Sequence, residues 1–556
     1  MTDIIENYRV VAEKLPNHYS RWHLRGAGLD ALSEEVVELP EIGPDELVVR
    51  HDTCGICFSD IKIINLGPEH PRLIGRNMVD EPVVMGHEVA LTVAKVGDGI
   101  KDKFKVGDRF IVQADVYFKG ANIAYGYVLD GGFSQYGIVG EEVLRGDEGC
   151  YLLPLKDDTG YVEAALVEPW ACVVAAYEYP NFRQGVKAGG KTLVYQKSKA
   201  LGALAAKDVT GKDGPAAVFE AIDSLDALDA KVASLTGGKG FDDIIVIGTP
   251  TAAEVEKLSV ALTKYGIFNV ALSEPLAEPV TIDIGRVHYD HLLYIGGLAK
   301  TAADAAKAYE NNRRGDLKGG GTIWFIGAGG PMGQMHVQRA IMHENPPKTI
   351  VVTDVSDERL ARIHERFGAK AAERGIEIVA LNPNSIGDAA YAAELTKLGP
   401  FDDIVCLVPA PALVAQSAPY LGVKGVYNIF AGVAKGVSAK LDLGAVLTKS
   451  QRFVGTSGSS IKDLQHTLDL VQEDKLSTNS SLAAIGGHAA FRDGLGAVKA
   501  GAFPGKCVIF LQIDDLPLTS LDEMKTSLPT VYAKLEDGKF WTQEAEDELL
   551  RLKLKK

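Results

Sequence analysis

The spacing of the apolar residues changes along the chain and separates regions of different expected structure. After Trp22, short β-branched runs are separated by Gly, Pro and Asp, as at residues 46–50, 89–93 and 108–112. Such runs predict the strands of a compact β-rich domain. From about residue 186, short apolar runs alternate with helical stretches, which predicts βαβ units on a parallel sheet. The expected fold class is therefore α/β, with a β-rich domain in front.

This α/β region contains an internal repeat. The segment 241–246 recurs at 401–406, Gly266-Ile-Phe-Asn269 recurs as Gly425-Val-Tyr-Asn428, and 282–285 recurs at 441–444. The displacements are 160 (401 − 241), 159 (425 − 266) and 159 (441 − 282) positions. A period this long indicates a duplicated domain rather than a solenoid. We call residues 186–317 the first copy and residues 318–483 the second copy.

Only the second copy opens with a glycine turn of the kind that binds phosphate. A predicted strand at 322–326 leads into Gly327-Ala-Gly-Gly-Pro-Met-Gly333, and a helix is predicted over 334–342. Backbone amides at such a helix start can bind a pyrophosphate. The spacing is one residue longer than the usual fingerprint. The candidate cofactor-binding residues of this turn are Gly327, Gly329, Gly330, Met332 and Gly333.

A second apolar run, 349–353, ends at Asp354, which lies 21 positions (354 − 333) after the last glycine of the turn. A carboxylate there can accept hydrogen bonds from a ribose diol and would repel a 2′-phosphate, so NAD(H) is expected rather than NADP(H).

The first copy has no such turn and is expected to bind no dinucleotide. It spans about fifty residues from Gly190 to Phe241, against about eighty from Gly320 to Phe401. The deficit corresponds to roughly one β-α unit. Residues 191–200 align better with the later strand and helix around Asp354 than with the glycine turn, which implies that the opening strand, turn and helix are missing.

Composition and charge restrict the class of function. The chain has 556 residues, enough for about two to four domains. Its net charge of −16 is spread without long acidic runs, which argues against nucleic acid or an anionic membrane as partner and favours small-molecule chemistry. No segment approaches the roughly 18 apolar residues of a membrane span, and the amino terminus lacks a signal pattern. A cytoplasmic protein is expected, and six scattered cysteines indicate reduced thiols.

One group of residues suits a metal. Cys57 offers a thiolate, His87 follows 30 positions (87 − 57) later, and carboxylates lie further on. Such a set of sulfur, nitrogen and oxygen ligands suits Zn²⁺ with one coordination position left open. An open position is what a reacting oxygen needs, so the site is expected to be catalytic.

Cys57-Phe58-Ser59-Asp60 and Gly86-His87-Glu88 resemble the catalytic zinc motif of the zinc-dependent medium-chain alcohol and polyol dehydrogenases. The resemblance implies a GroES-like catalytic domain and makes Cys57, not Cys54, the metal ligand. Val167-Glu168-Pro169 is similar to the Glu-Pro of the polyol dehydrogenases, so Glu168 is expected as the third ligand, with Glu88 as its rival. In this picture Ser59 passes on the substrate proton and Asp60 orients a ligand.

The chain departs from that family at two places. Residues 113–129 contain no cysteine, whereas many relatives carry a four-cysteine lobe there, so one catalytic zinc and no structural zinc are expected. Lys62 stands where relatives often place a histidine as the outlet of a proton relay. A cationic lysine cannot accept a proton, which leaves the exit route and the charge of the substrate open.

Further segments are most similar to the sorbitol dehydrogenase and sorbose-1-phosphate reductase branch, namely Tyr125-Gly-Tyr-Val128 and Arg286-Val-His-Tyr289. The implied substrate is a polyol, ketose or sugar phosphate, and Arg286, His288 and Tyr289 become candidate substrate contacts. The alternatives are a zinc-free medium-chain reductase acting on an enone, and a redox-sensing or scaffold protein.

The expected organisation has four parts. Residues 1–185 form the catalytic zinc domain, completed by 484–512, and the two copies follow each other within it. Residues 513–556 form an extension with a capping-box pattern at Ser520 and a charged amphipathic helix over 542–556. A homo-oligomer, dimer or tetramer, is expected.

Overall fold

The computed structural model describes residues 4–11, 14–178, 182–310, 315–456 and 458–554. The chain forms two compact units. The first contains residues 1–172, 330–335 and 458–556, and the second contains residues 173–329 and 336–457. The expected four-part division stays a prediction. None of the described helices is long and apolar enough to cross a membrane.

The first unit is built on a mainly antiparallel sheet, as the β-rich pattern predicts. Its strands lie in the order Thr519–Ser520, Leu482–Gly487, Lys506–Phe510, Leu47–Gly55, Glu88–Val96, Arg109–Val112 and Leu152–Pro154, and Tyr136–Val139 also pairs with Leu47–Gly55. Two hairpins accompany it, His18–Leu24 with Leu32–Glu38 and Tyr117–Phe118 with Ala121–Asn122. The central strand Leu47–Gly55 is buried along its whole length and contributes to the core of this unit.

The helices of the first unit flank this sheet and include both ends of the described chain. They are Ile4–Arg9, Phe58–Leu66, Glu141–Leu144, Tyr161–Ala165, Val167–Ala175, Ile461–Gln472, Phe491–Ala500, Met524–Ser527, Pro529–Tyr532 and Gln543–Lys553, with 3₁₀ turns at Leu29–Ala31, Gly67–Glu69, Asn479–Ser481 and His488–Ala490. Val167–Ala175 continues into the second unit. The helix-like sequence after Glu168 predicts an end near Tyr179, which lies outside the described residues.

The second unit contains two parallel sheets, one from each copy. The first sheet has the order Val218–Ile222, Lys191–Gln196, Phe241–Ile247, Leu262–Leu272 and Leu293–Leu298. The second has the order Glu377–Leu381, Thr349–Thr353, Thr322–Ile326, Phe401–Cys406, Leu421–Ile429 and Arg452–Val454. This α/β architecture confirms the fold class and the duplicated, incomplete copy.

Helices connect these strands in both copies. The first copy has Ala206–Val209, Leu228–Thr236, Ala252–Val260 and Ile284–Tyr289, with 3₁₀ segments at Leu225–Ala227 and Ala302–Glu310. The second has Pro331–Met342, Asp357–Glu373, Pro383–Ile386, Asp388–Leu398, Pro411–Ser417 and Leu443–Thr448, with a 3₁₀ turn at Ala418–Tyr420.

The structure corrects the alignment of the opening strand. Lys191–Gln196 lies between Val218–Ile222 and Phe241–Ile247, just as Thr322–Ile326 lies between its two neighbours. The expected match of Lys191–Gln196 to the strand before Asp354 is therefore wrong, and the first copy does possess the opening strand. Among the described residues of the first copy, no helix directly follows that strand and no strand corresponds to Glu377–Leu381. Sequence length revealed the deficit but could not locate it.

The two copies join through equivalent strands. Val280–Asp283 pairs antiparallel with Ser438–Leu441, and Thr281 faces Lys440, the same position of the repeat (440 − 281 = 159). The neighbouring pairs are reciprocal, since Val280 faces Leu441 and Ile282 faces Ala439. We call this pair of strands the ribbon. Its register is that of a twofold-symmetric contact between two identical subunits, here formed within one chain.

The segment that leads into each sheet packs on the other sheet. Ala302–Glu310 precedes the second sheet, but the Ala305 carbonyl accepts a hydrogen bond of 2.9 Å from Asn269 Nδ2 of the first. Ala176 precedes the first sheet, but its carbonyl accepts a bond of 3.0 Å from Asn428 Nδ2 of the second. Asn269 and Asn428 are the same position of the repeat. The two copies therefore exchange their leading segments.

Candidate active site

Three side chains that could bind a metal lie close together: Cys57, His87 and Glu88. We call them the donor group. Cys57 is the residue before the helix Phe58–Leu66, which we call the site helix, and Glu88 begins the strand Glu88–Val96. One possible donor atom of each residue lies within 4.8 Å of the other two, and His87 and Glu88 are buried. Gly86 has φ of 103°, and a Cβ there would come within 3.0 Å of Cys54 and Phe133, so glycine is needed to bring His87 to this place.

Asp60 supports two members of the donor group. Its Oδ2 accepts a hydrogen bond of 2.8 Å from the Cys57 amide at the start of the site helix. Its Oδ1 lies 3.8 Å from His87 Nδ1, which is beyond hydrogen-bond distance, so it acts on the ring only through its charge. Burial raises the pKa of Asp60 to about 6. The orienting role that the sequence predicts for Asp60 stays a prediction.

Glu88 is held by a residue that sequence reasoning missed. Lys506 Nζ donates to Glu88 Oε1 over 2.5 Å and to the Ile56 carbonyl over 2.9 Å. Lys506 is 5% exposed, and although burial opposes its charge, Glu88 raises its pKa above the ordinary value. Lys506 is 418 positions (506 − 88) from its partner, and its segment reads only as a strand, so no local signal marked it.

Glu168, the expected third ligand, lies outside the donor group. It is buried, 9% exposed, in the helix Val167–Ala175. Burial raises its pKa to about 8; the charge of His87 lowers that pKa and the charge of Glu88 raises it. Glu168 is thus electrostatically coupled to the donor group, but the geometry favours its rival, Glu88, as the carboxylate beside Cys57 and His87.

Ser59 lies at the edge of the donor group. Its hydroxyl is 3.2 Å from His87 Nε2. Burial raises the pKa of Tyr127 above its ordinary value and the Ser59 hydroxyl opposes that rise. The Tyr127 ring packs 5.7 Å from the His87 ring, centroid to centroid. Tyr127 is a site residue that the sequence showed only as part of the segment Tyr125–Val128.

The donor group suits a divalent cation. At this site, three buried atoms have no hydrogen-bond partner among the described residues: Asp60 Oδ1, His87 Nδ1 and Glu88 Oε2. Burial raises the pKa of the Cys57 thiol to about 11, so a thiolate needs a nearby cation to form at neutral pH. A dication supplies that charge, and thiolate, imidazole and carboxylate are ligands of Zn²⁺. The side chains present therefore fit zinc.

The glycine turn has the expected position in the second copy. It follows the strand Thr322–Ile326, and the helix after it begins at Pro331, three residues earlier than predicted. Asp354 accepts hydrogen bonds from the Gly329 amide at 3.0 Å and from the Ser356 amide at 3.1 Å. A Cβ at Gly329 would lie 2.7 Å from Asp354 Oδ2, so only glycine allows this approach.

The corresponding place in the first copy is filled differently. The opening strand runs into Lys197, whose Nζ donates to both oxygens of Glu254 at 2.7 and 2.9 Å. Burial raises the pKa of Glu254, but the hydrogen bond and the charge of Lys197 outweigh burial and help to lower this pKa to about 2. A fixed ion pair therefore stands near the end of the strand where the second copy presents glycine amides.

Arg286 and His288, expected as substrate contacts, have structural partners instead. Arg286 donates to Asp290, to the Ser259 carbonyl and to the Leu262 carbonyl. His288 is buried, and its Nδ1 lies 2.8 Å from the Ile429 carbonyl of the other copy. The expectation for these two residues is wrong, because their polar atoms hold the first copy together and join it to the second. Tyr289 is 43% exposed.

Comparison with known proteins agrees with this geometry. Residues 43–145 match the alcohol dehydrogenase GroES-like domain. Over 92% of its length the chain is 25% identical to mannitol-1-phosphate 5-dehydrogenase of Aliivibrio fischeri and covers 93% of that protein. It is 27% identical to L-sorbose 1-phosphate reductase of Klebsiella pneumoniae over 49% of this chain and 74% of that protein.

A solved structure shows the same fold. The 2R,3R-butanediol dehydrogenase of Bacillus subtilis superposes with a TM-score of 0.52 at 18% identity, covering 89% of this chain and 99% of that one. The matched GroES-like domain contains Cys57, His87 and Glu88, the residues that the fold brings together. Residues 43–145 thus have the GroES-like domain of the alcohol dehydrogenases, and the relatives and the shared fold support the assignment of the chain to the medium-chain dehydrogenase/reductase family.

Proposed function

We propose that this protein is a zinc-dependent oxidoreductase that transfers a hydride between NAD(H) and a secondary alcohol or ketone of a polyol, ketose or sugar phosphate. The observation that carries the proposal is the buried donor group of Cys57, His87 and Glu88 with Ser59 beside it. The names of the two enzymes above, which act on sugar or polyol phosphates, support this substrate class.

Cys57, His87 and Glu88 would hold one zinc ion per chain. When bound, zinc polarises an oxygen of the substrate as a Lewis acid. Asp60 fixes the Cys57 amide and faces His87, while Lys506 balances the charge of Glu88. Glu168 would serve as a second carboxylate near the metal rather than as its resting ligand.

Ser59 would carry the proton. Its hydroxyl can accept the proton of the substrate alcohol while passing its own proton onward, a role that needs both a donor and an acceptor. Tyr127, whose ring packs against the His87 ring that Ser59 contacts, would be the next group on that path. Lys62, three residues along the site helix, cannot accept a proton while charged.

Asp354 would select NAD(H). Both of its carboxylate oxygens are fixed by backbone amides at the end of the strand Thr349–Thr353. A 2′-phosphate beside this negative charge would cost on the order of 2 kcal/mol, so NAD(H) is preferred to NADP(H).

The test of activity is a screen of sugar alcohols and their phosphates with zinc-loaded protein, followed by NADH absorbance. We expect NAD-dependent turnover of at least one secondary alcohol in the set, and a lower kcat/KM with NADP. Turnover of enones without any requirement for zinc would instead favour a zinc-free reductase.

The test of the metal site is elemental analysis of two matched variants. Cys57→Ala is expected to lose both zinc and activity because the thiolate is a ligand. Cys54→Ala is the control: Cys54 is buried in the core and lies outside the group of Cys57, His87 and Glu88, so zinc is expected to remain. Two tightly bound zinc ions in the wild type, or zinc retained without Cys57, would overturn the assignment.

A further inference from the structure

The site helix carries a cation that the proposed chemistry does not use. Lys62 lies three residues after Ser59, so the two side chains share one face of this helix. Lys62 is exposed, and no described residue forms a hydrogen bond or ion pair with it. A free ammonium on the face that carries the proton-transfer hydroxyl suggests a charged substrate group rather than a relay.

Tyr127 brings further polar groups to the same place. The Arg72 guanidinium carbon lies 4.8 Å from the centre of the Tyr127 ring, and the His70 ring is 5.6 Å from it. The same ring packs against His87 of the donor group. Arg72 and His70 therefore pack on the same ring as His87, a candidate zinc ligand.

His70 links the two cations. Its Nδ1 accepts a hydrogen bond of 3.3 Å from the Arg72 amide, which assigns the ring proton to Nε2 as a donor. Burial lowers the pKa of His70, and the charges of Arg72 and Lys62 lower it further. Both cations thus lie near one neutral imidazole that still has a proton to donate.

Asp115 forms an ion pair with Arg72 and offsets part of its charge. Its Oδ1 lies 2.8 Å from Arg72 Nη1, and the Arg72 side chain remains 40% exposed. This ion pair holds the guanidinium over the ring and leaves other N–H groups for a ligand. Lys62 has no such counter-charge, so the group keeps a net positive charge.

We propose that Lys62, His70 and Arg72 bind the phosphate of a phosphorylated polyol or ketose whose carbinol carbon lies at the donor group. A phosphate ester carries about −1.5 to −2 charges and several acceptor oxygens, which match a guanidinium, an ammonium and an imidazole N–H. This inference rests on the proposed function and specifies its substrate class. At the position where relatives often place a relay histidine, Lys62 would then bind the substrate.

The experiment compares mannitol 1-phosphate with mannitol in the zinc-loaded enzyme. In the wild type, kcat/KM is expected to be much higher for the phosphate. In Lys62→Gln and Arg72→Gln the ratio of the two kcat/KM values is expected to fall at least tenfold, with Arg72→Lys keeping part of it. Lys103→Gln, which removes an exposed charge elsewhere in the same unit, is the matched control and keeps the wild-type ratio.

Calorimetric binding of inorganic phosphate at constant ionic strength separates this inference from the proposed function. If no polyol is turned over but Lys62→Gln and Arg72→Gln weaken phosphate binding tenfold, the anion site stands and the proposed function fails. If the wild type does not discriminate the phosphate from mannitol, or if both variants bind inorganic phosphate as the wild type does, the phosphate site is wrong.

Discussion

At the scale of single residues, the candidate active site depends on contacts between distant positions. Cys57, Ser59 and Asp60 are local to one helix start, and a capping-box arrangement sets their geometry. Glu88 depends on Lys506, which reaches it from the strand Lys506–Phe510. Removing one partner of such a buried ion pair leaves the other charge buried without compensation, which destabilises the folded state.

Lys506→Met is expected to destabilise the protein by about 3 kcal/mol, because it leaves the Glu88 carboxylate buried without its counter-ion. The measurement is the midpoint of thermal unfolding of the metal-free protein. Lys499→Met, at an exposed position, is the control and should leave the midpoint unchanged. An unchanged midpoint for the Lys506 variant would mean that the pair contributes nothing to stability.

At the scale of elements, the carboxyl-terminal helix is tied to the first unit by one carboxylate. Glu546 accepts hydrogen bonds from the Tyr161 and Val162 amides at 2.6 and 2.8 Å. These amides open the helix Tyr161–Ala165, whose first turn leaves backbone donors unpaired. The predicted amphipathic helix is thus present as Gln543–Lys553, and it caps another helix from a distance.

The half-buried carboxyl of Glu163, in the helix that Glu546 caps, makes the stability of the protein depend on pH. Burial, and then the charge of Glu546, raise the pKa of Glu163 in the same helix from its ordinary 4.5 to about 7. The folded state therefore holds the proton more tightly, and Glu163 lowers stability as pH rises from about 4.5 to 7. Glu163→Gln is expected to increase the free energy of unfolding at pH 8 by about 1 kcal/mol or more, which raises the unfolding midpoint. The effect at pH 5.5 is expected to be smaller.

The measurement is thermal unfolding of both proteins across this pH range, with exposed Glu148→Gln as the control. Equal slopes of midpoint against pH in wild type and Glu163→Gln would contradict the argument.

A second element-scale prediction concerns the contact between the copies. A Cβ at Gly455 would lie 2.9 Å from His288 Cα and 2.9 Å from the Ile429 carbonyl, both backbone atoms. Gly455→Ala is therefore expected to cost about 1–3 kcal/mol, since the two copies must separate slightly. Gly297→Ala, whose Cβ would meet nothing closer than 3.9 Å, is the matched control. Differential scanning calorimetry that finds both variants equally stable would refute this close packing.

At the scale of the whole molecule, the duplication forms a symmetric contact within one chain. The ribbon pairs equivalent strands, and the leading segments are exchanged between the sheets. These backbone edges are therefore satisfied internally. The expected homo-oligomer stays a prediction.

Calorimetry is expected to find one NAD(H) site per chain. The first copy has the opening strand but continues into Lys197 and its ion pair with Glu254, where no helix start presents amides to a pyrophosphate. Gly329→Val should abolish binding because its side chain would collide with Asp354. Two sites in the wild type, or one that survives this substitution, would place the cofactor in the other copy.

The sequence by itself determined the features that depend on neighbouring residues. The alternation of strands and helices, the glycine turn with Asp354, the duplication and the spacing of Cys57 and His87 all follow from local periodicity or from short motifs. The fold class and the family could be predicted from these alone.

Only the tertiary structure decided which distant side chains meet. The choice of Glu88 over Glu168, the partners Lys506 and Tyr127, the true place of Lys191–Gln196 and the structural roles of Arg286 and His288 depend on strand order and on packing between copies. Glu88 begins a strand and Glu168 lies in a helix, and only the folded backbone brings the carboxylate of Glu88 beside Cys57 and His87. Local patterns carry no information about such distances, because these contacts form between residues separated by tens to hundreds of positions.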